Sequence, residues 1–61
     1  MPMSGKEMLK LYEKHGWQKI RQKGSHVTVF KEGETIEIIP MHKELGKGLE
    51  SKLIKRLKDK K

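Results

Sequence analysis

The sequence predicts an α+β domain with the order α-β-β-β-α, a three-stranded antiparallel sheet carrying both helices on one face. Three observations carry that expectation. Apolar residues recur at helical spacing near both ends, in Met8, Leu11 and Tyr12 and again in Leu49, Leu53 and Leu57. Between them the spacing shortens to alternation over residues 17–22, 26–31 and 35–39. Glycines stand at the joints (Gly16, Gly24, Gly33 and Gly48), where the chain has to reverse or start a helix.

The first helix is expected over residues 4–15. Ser4-Gly5-Lys6-Glu7 reads as a capping box, in which the serine accepts from the amide of Glu7 and the glutamate reaches back. Met8, Leu11, Tyr12 and His15 then share a face, and Gly16 supplies a left-handed stop. In the first strand Ile20 faces inward while Trp17, Lys19 and Arg21 share the other face, with Trp17 free at the strand end to fold back onto the core. Lys23-Gly24-Ser25 is the first turn. The second strand puts Val27 and Val29 on one face and His26, Thr28 and Phe30 on the other.

Glu32-Gly33-Glu34 is the second turn, and Pro40 closes the third strand because it has no N–H for the ladder. A polar connection over 41–48 leads to the second helix, with Leu49, Leu53 and Leu57 as its apolar stripe, Ile54 at the flank, and Lys52, Lys55 and Lys58 opposite. Residues 59–61 read as a frayed tail. On this register the core takes Ile20, Val27, Val29, Ile36 and Ile38, and the open face carries Lys19, Arg21, His26, Thr28, Phe30 and Ile39. A slip of one residue would exchange the two sets.

Composition narrows the function classes. Sixty-one residues make one domain, 1–61, and a domain of that size buries only about 60% of its unfolded surface. The chain has no cysteine and three scattered histidines, so neither disulfides nor a thiolate metal site is expected. Lys and Arg number 15 against 8 Asp and Glu, a formal charge of +7. That excess favours nucleic acid or an acidic protein as partner, and it also serves solubility. No apolar run approaches the roughly 18–20 residues of a membrane span, and no signal-peptide core stands at the start. A soluble cytoplasmic protein is the expectation.

The residues with chemistry cluster around Arg21-Gln22-Lys23-Gly24-Ser25-His26. Histidine exchanges protons near neutrality, and Lys19, Arg21 and Lys23 would draw a phosphate to it. His26 therefore reads either as a general base on a ribose 2′-hydroxyl, with Arg21 and Lys23 stabilising the charge of the phosphorane, or as an exposed turn histidine with no task. Gly24 and Ser25 offer backbone and hydroxyl to a phosphate, or simply complete the turn; no carboxylate stands where a serine triad needs one. His42 reads as a second proton-transfer group or as a loop residue. His15 fits the C-terminal end of a helix, where the macrodipole favours it.

Lys47-Gly48, with Lys52 and Lys55, forms either a phosphate site at a helix start or a solvated cationic face. Phe30 and Ile39 offer an apolar spot for a base or a protein partner, and are core if the register differs.

Several stretches in order carry a family resemblance: Lys14-His15-Gly16-Trp17, Arg21-Gln22-Lys23-Gly24-Ser25-His26, Ile39-Pro40-Met41-His42, and Lys43-Glu44-Leu45 through Gly48-Leu49. Together they resemble the HicA-type toxins of bacterial and archaeal toxin–antitoxin modules over nearly the whole chain. The resemblance implies a fold like the double-stranded RNA-binding domain and a ribosome-independent mRNA endonuclease that arrests translation. It implies His26 as the catalytic residue, with no metal or organic cofactor. It also implies a HicB-type antitoxin that covers the site and joins in repressing the operon, so that DNA is contacted only through the antitoxin.

The chain departs from the family pattern in three places. Val27 stands where many members have a second histidine or an aromatic. Val29 then Phe30 replace an aromatic about three residues after the histidine. Gly48-Leu49 lacks the threonine cap of a Gly-Thr-Leu start. Two rivals keep the charges without the chemistry: an RNA-binding module that does not cleave, and a docking protein that only binds an acidic antitoxin-like chain.

Overall fold

A computed structural model describes residues 3–58, and the predicted tail at 59–61 lies outside them. The elements are α1 (Gly5–Lys14), β1 (Gln18–Lys23), β2 (His26–Phe30), β3 (Glu37–Pro40) and α2 (Lys47–Lys58). The three strands form one antiparallel sheet in the order β1-β2-β3, as the α+β reading expects.

Local chemistry sets both ends of α1. The Glu7 amide donates to Ser4 Oγ at 3.1 Å, and the Ser4 amide donates to Glu7 Oε1 at 2.9 Å, so the expected capping box is present. At the other end Gly16 takes φ +94°. The Trp17 amide donates to the Tyr12 carbonyl at 3.1 Å and the Gly16 amide to the Glu13 carbonyl at 3.1 Å. Those two bonds define a Schellman motif, and the apolar contact that accompanies it is Tyr12 against Trp17, edge to face at 5.0 Å between ring centroids. Trp17 is thereby folded into the core rather than onto the open face.

The core lies between the sheet and the helices: Met8 and Tyr12 of α1, Trp17, Val27, Val29 and Ile39, then Leu45, Leu53 and Leu57. Three residues expected there are outside it, with Ile20 53%, Ile36 51% and Ile38 49% exposed, whereas Ile39, expected on the open face, is fully buried. The cause is register. Val27 pairs with Ile39 and Thr28 with Ile38, so β3 turns its odd-numbered residues inward. That strand also begins at Glu37 and includes Pro40, instead of spanning 35–39. Proline is tolerated there because β3 is an edge strand.

In β1 the pairing runs Lys19 with Val29, then Arg21 with Thr28. Ile20 is left over as a β-bulge, and the bulge resets the alternation.

Three features fasten the layers. The Tyr12 hydroxyl donates to the Leu53 carbonyl at 2.8 Å in the interior, joining α1 to α2. From α2, Arg56 lies 5.9 Å over the Trp17 ring, pairs with Glu37 at 3.4 Å and hydrogen-bonds Thr35 Oγ1. Gly5 brings α1 against β3: its amide donates to the His42 carbonyl at 2.9 Å, and a Cβ placed on it would stand 2.0 Å from the Pro40 carbonyl oxygen.

Gly5→Ala is therefore expected to destabilise the domain by about 1–3 kcal/mol, since backbone rather than a flexible side chain has to move. Thermal unfolding would show this as a fall of several degrees. Tyr12 gives a second expectation. Burial, reinforced by the Glu37 carboxylate and partly offset by Arg56, raises its pKa well above the usual phenol value. The unfolded chain loses this proton first, near pH 10, so folding stability falls as pH rises above about 10. Tyr12→Phe lacks that component, and the two stability–pH curves from urea unfolding should diverge only in the alkaline range.

Candidate active site

His26 owes its position to the turn before it. Gly24 has φ +60° while Ser25 has no positive φ, the signature of a two-residue hairpin with glycine first. Lys23 and His26 pair across that turn. Gln22 Nε2 donates to the Gly24 carbonyl at 3.0 Å and holds the turn from one side. Ser25 uses its carbonyl to accept the Met41 amide at 2.6 Å, which extends the β2–β3 pairing past Pro40. His26 is then the first residue of β2, exposed, with Lys23 opposite it on β1 and Pro40 opposite it on β3.

Residues facing each other across an antiparallel ladder share a face of the sheet. Arg21 pairs with Thr28 and Ile38 pairs with Thr28 from the other side, so both lie on the His26 face. Alternation along β2 adds Phe30, which is 39% exposed. This face is uncovered by helices. It joins an imidazole, the cations Arg21 and Lys23, the Gly24-Ser25 turn, and an apolar area of Phe30 and Ile38. That arrangement can receive a proton at the imidazole, hold a phosphate on two cations and seat a flat apolar group.

The other expected site residues are elsewhere. The bulge at Ile20 puts Lys19 opposite Val29, on the helix side of the sheet, and not beside Arg21. Ile39 is a fully buried core residue and does not lie on the open face. Lys47, with Gly48, is the first turn of α2 rather than a loop before it, and Lys52 and Lys55 follow on the same helix. Since α2 covers the face away from His26, these three lysines are not joined to that site.

His42 lines a groove on the helix side, together with Lys6, Leu9, Lys19, Val27 and Lys43. His15 ends α1 as expected, its Nδ1 donating to the Leu11 carbonyl at 2.9 Å. Among the described residues no three His, Asp, Glu or Cys side chains converge into a metal-binding group.

Ile38 is the open-face residue that the sequence reading missed. Ile36, Ile38 and Ile39 permit two registers, and the signal that separates them is spatial: Ile39 completes the layer begun by Val27.

Among solved structures, the chain is similar to a "Toxin-Antitoxin complex from Streptococcus pneumoniae", with a TM-score of 0.80 and 45% identity over 93% of this chain and 98% of that one. No curated protein matches the chain. The family described as the HicA toxin of bacterial toxin–antitoxin systems matches over residues 5–58, which takes in both helices, the whole sheet and the His26 turn. The chain belongs to the HicA toxin family.

Proposed function

We propose that this toxin is a metal-independent endoribonuclease that cleaves mRNA, with His26 as general base. The supporting observation is the exposed His26 at the start of β2, set on one face with Arg21, Lys23 and Phe30. In this reading His26 takes the proton of a ribose 2′-hydroxyl, and the 2′-oxygen attacks the adjacent phosphorus. The bond from phosphorus to the 5′-oxygen breaks, leaving a 2′,3′-cyclic phosphate and a 5′-hydroxyl. Arg21 and Lys23 stabilise the extra negative charge as it develops. Phe30 seats a base. Water protonates the leaving oxygen, and His26 returns its proton to the hydroxide so formed, which restores the base; His42 lines the groove on the helix side.

The same face explains a protein partner. Phe30 and Ile38 leave apolar surface in water beside the proposed base, and such surface on a small domain marks an interaction site. A HicB-type antitoxin seated there would bury those side chains and block His26 together. The domain has no helix, among the described residues, long and apolar enough to cross a membrane, and action on mRNA places the toxin in the cytoplasm.

His26→Ala should lower cleavage of a defined RNA by about 10²–10⁴-fold with an unchanged melting temperature, because the side chain is exposed. Cleavage equal to wild type by the folded variant would sink His26 as base, and no cleavage by either protein would leave an RNA-binding or docking protein. Lys23→Ala should slow cleavage more than Lys10→Ala on the outer side of α1; equal rates would remove Lys23 from the site. Ile38→Lys should weaken antitoxin binding, read by calorimetry, while the fold persists. Unaltered affinity would move the partner's contact elsewhere.

A further inference from the structure

We infer that the groove on the helix side of the sheet is a second RNA subsite, holding an unpaired nucleotide adjacent to the one cleaved; this rests on the RNA-cleaving reading of His26. The groove has a volume of about 490 Å³, within the roughly 300–1,000 Å³ of small-ligand sites. Its apolar surface comes from the half-buried Leu9 and Met41 over the buried Val27, and its charge from Lys6, Lys19 and Lys43. Those lysines stand on α1, on β1 and after β3, and no carboxylate lines the groove among the described residues. An apolar surface edged by three cations matches one base with its flanking phosphates. The start of α1 is not the source of the charge, because Ser4 and Glu7 already satisfy each other's amides.

Position links the groove to His26. One rung of the ladder, Lys23 with His26, faces the open side; the next, Gln22 with Val27, faces the groove. Neighbouring residues of a strand are only about 3.4 Å apart. The end of the sheet between the two faces is the Gly24-Ser25 turn, whose small side chains let a flexible polymer pass around it. An RNA strand with its scissile phosphate at His26 can thus continue around the turn and place a following nucleotide on the helix side. Single-stranded substrate is required, since a duplex is too wide and stiff for that bend.

An antitoxin segment is the competing occupant. The exposed apolar area that suits a protein, Phe30 with Ile38, lies on the opposite face, whereas the groove sets its apolar surface among three lysines and the polar Ser4, Gln22 and His42, with no carboxylate among the described residues.

The test uses the His26→Ala protein and a fluorescein-labelled 2′-O-methyl hexanucleotide, which cannot be cleaved, read by anisotropy at fixed salt. Adding Lys6→Gln with Lys43→Gln should weaken binding about three- to tenfold, against less than twofold for Lys10→Gln with Lys14→Gln. Equal losses from both pairs would reduce the effect to net charge and overturn the subsite. The same oligonucleotide carrying one 4-thiouridine should photo-crosslink to Leu9 or Met41, and crosslinks confined to the Phe30 face would also overturn it. If the Lys6 and Lys43 changes spare RNA but weaken antitoxin binding, the groove is a protein-docking site and the proposal fails. None of these readings depends on cleavage, so they stay separate from the fate of His26 as base.

Discussion

Tyr12 holds the domain together because one side chain performs three tasks in the same place. Its ring fills the interior with no exposed surface. The ring edge meets Trp17 and so fixes the turn by which α1 becomes β1. Its hydroxyl, which would be costly to bury unpaired, is satisfied by a carbonyl of α2, forty-one residues away in sequence. A chain of this size has one small core and no disulfide to compensate for a lost contact. Arg56 continues the chain of contacts from Trp17 to Glu37 on β3, so both helices and both edges of the sheet refer back to the same aromatic pair.

The two faces of the sheet divide the work. On the helix side Val27, Val29 and Ile39 are spent on packing. On the other side the protein leaves Ile38 and Phe30 partly in water, with Ile20 and Ile36 outside the core as well. Each half-exposed isoleucine forgoes on the order of 1 kcal/mol of burial, a real loss for a domain this small. In the proposed complex the antitoxin covers that surface and recovers the loss on assembly, so free toxin is expected to be the less stable form. The His26 turn belongs to the same economy: its tight geometry comes from Gly24 and the ladder, and takes nothing from the core.

Much of this was legible in the residues, and the failures have physical causes. Ser4 and Glu7, Gly16, and the Leu53 and Leu57 stripe act locally, and the helices formed where those signals lie. The Gly24-Ser25 turn is equally local, so the position of His26 at the head of β2 could be read directly. Register was another matter. Ile36 and Ile38 alternate as a buried pair would, yet Ile39 is the residue that meets Val27, and nothing in a four-residue strand announces that choice. The bulge at Ile20 is likewise silent in sequence, and it moved Lys19 to the other face. Gly5 read only as part of a cap, whereas its missing side chain is what admits the backbone of β3.

The bulge has one more consequence, and it concerns solubility. β1 is an edge strand, and all six of its residues are exposed. Such an edge invites pairing with another copy of the sheet, and proteins discourage this with inserted bulges and with cations along the strand. Here Ile20 supplies the bulge, and Lys19, Arg21 and Lys23 supply the cations. The charges proposed to hold RNA are therefore also the guard on the sheet's open edge. Neutralising them to disarm the toxin would leave the bulge as the strand's one remaining guard, and the disarmed chain would carry a greater tendency to aggregate.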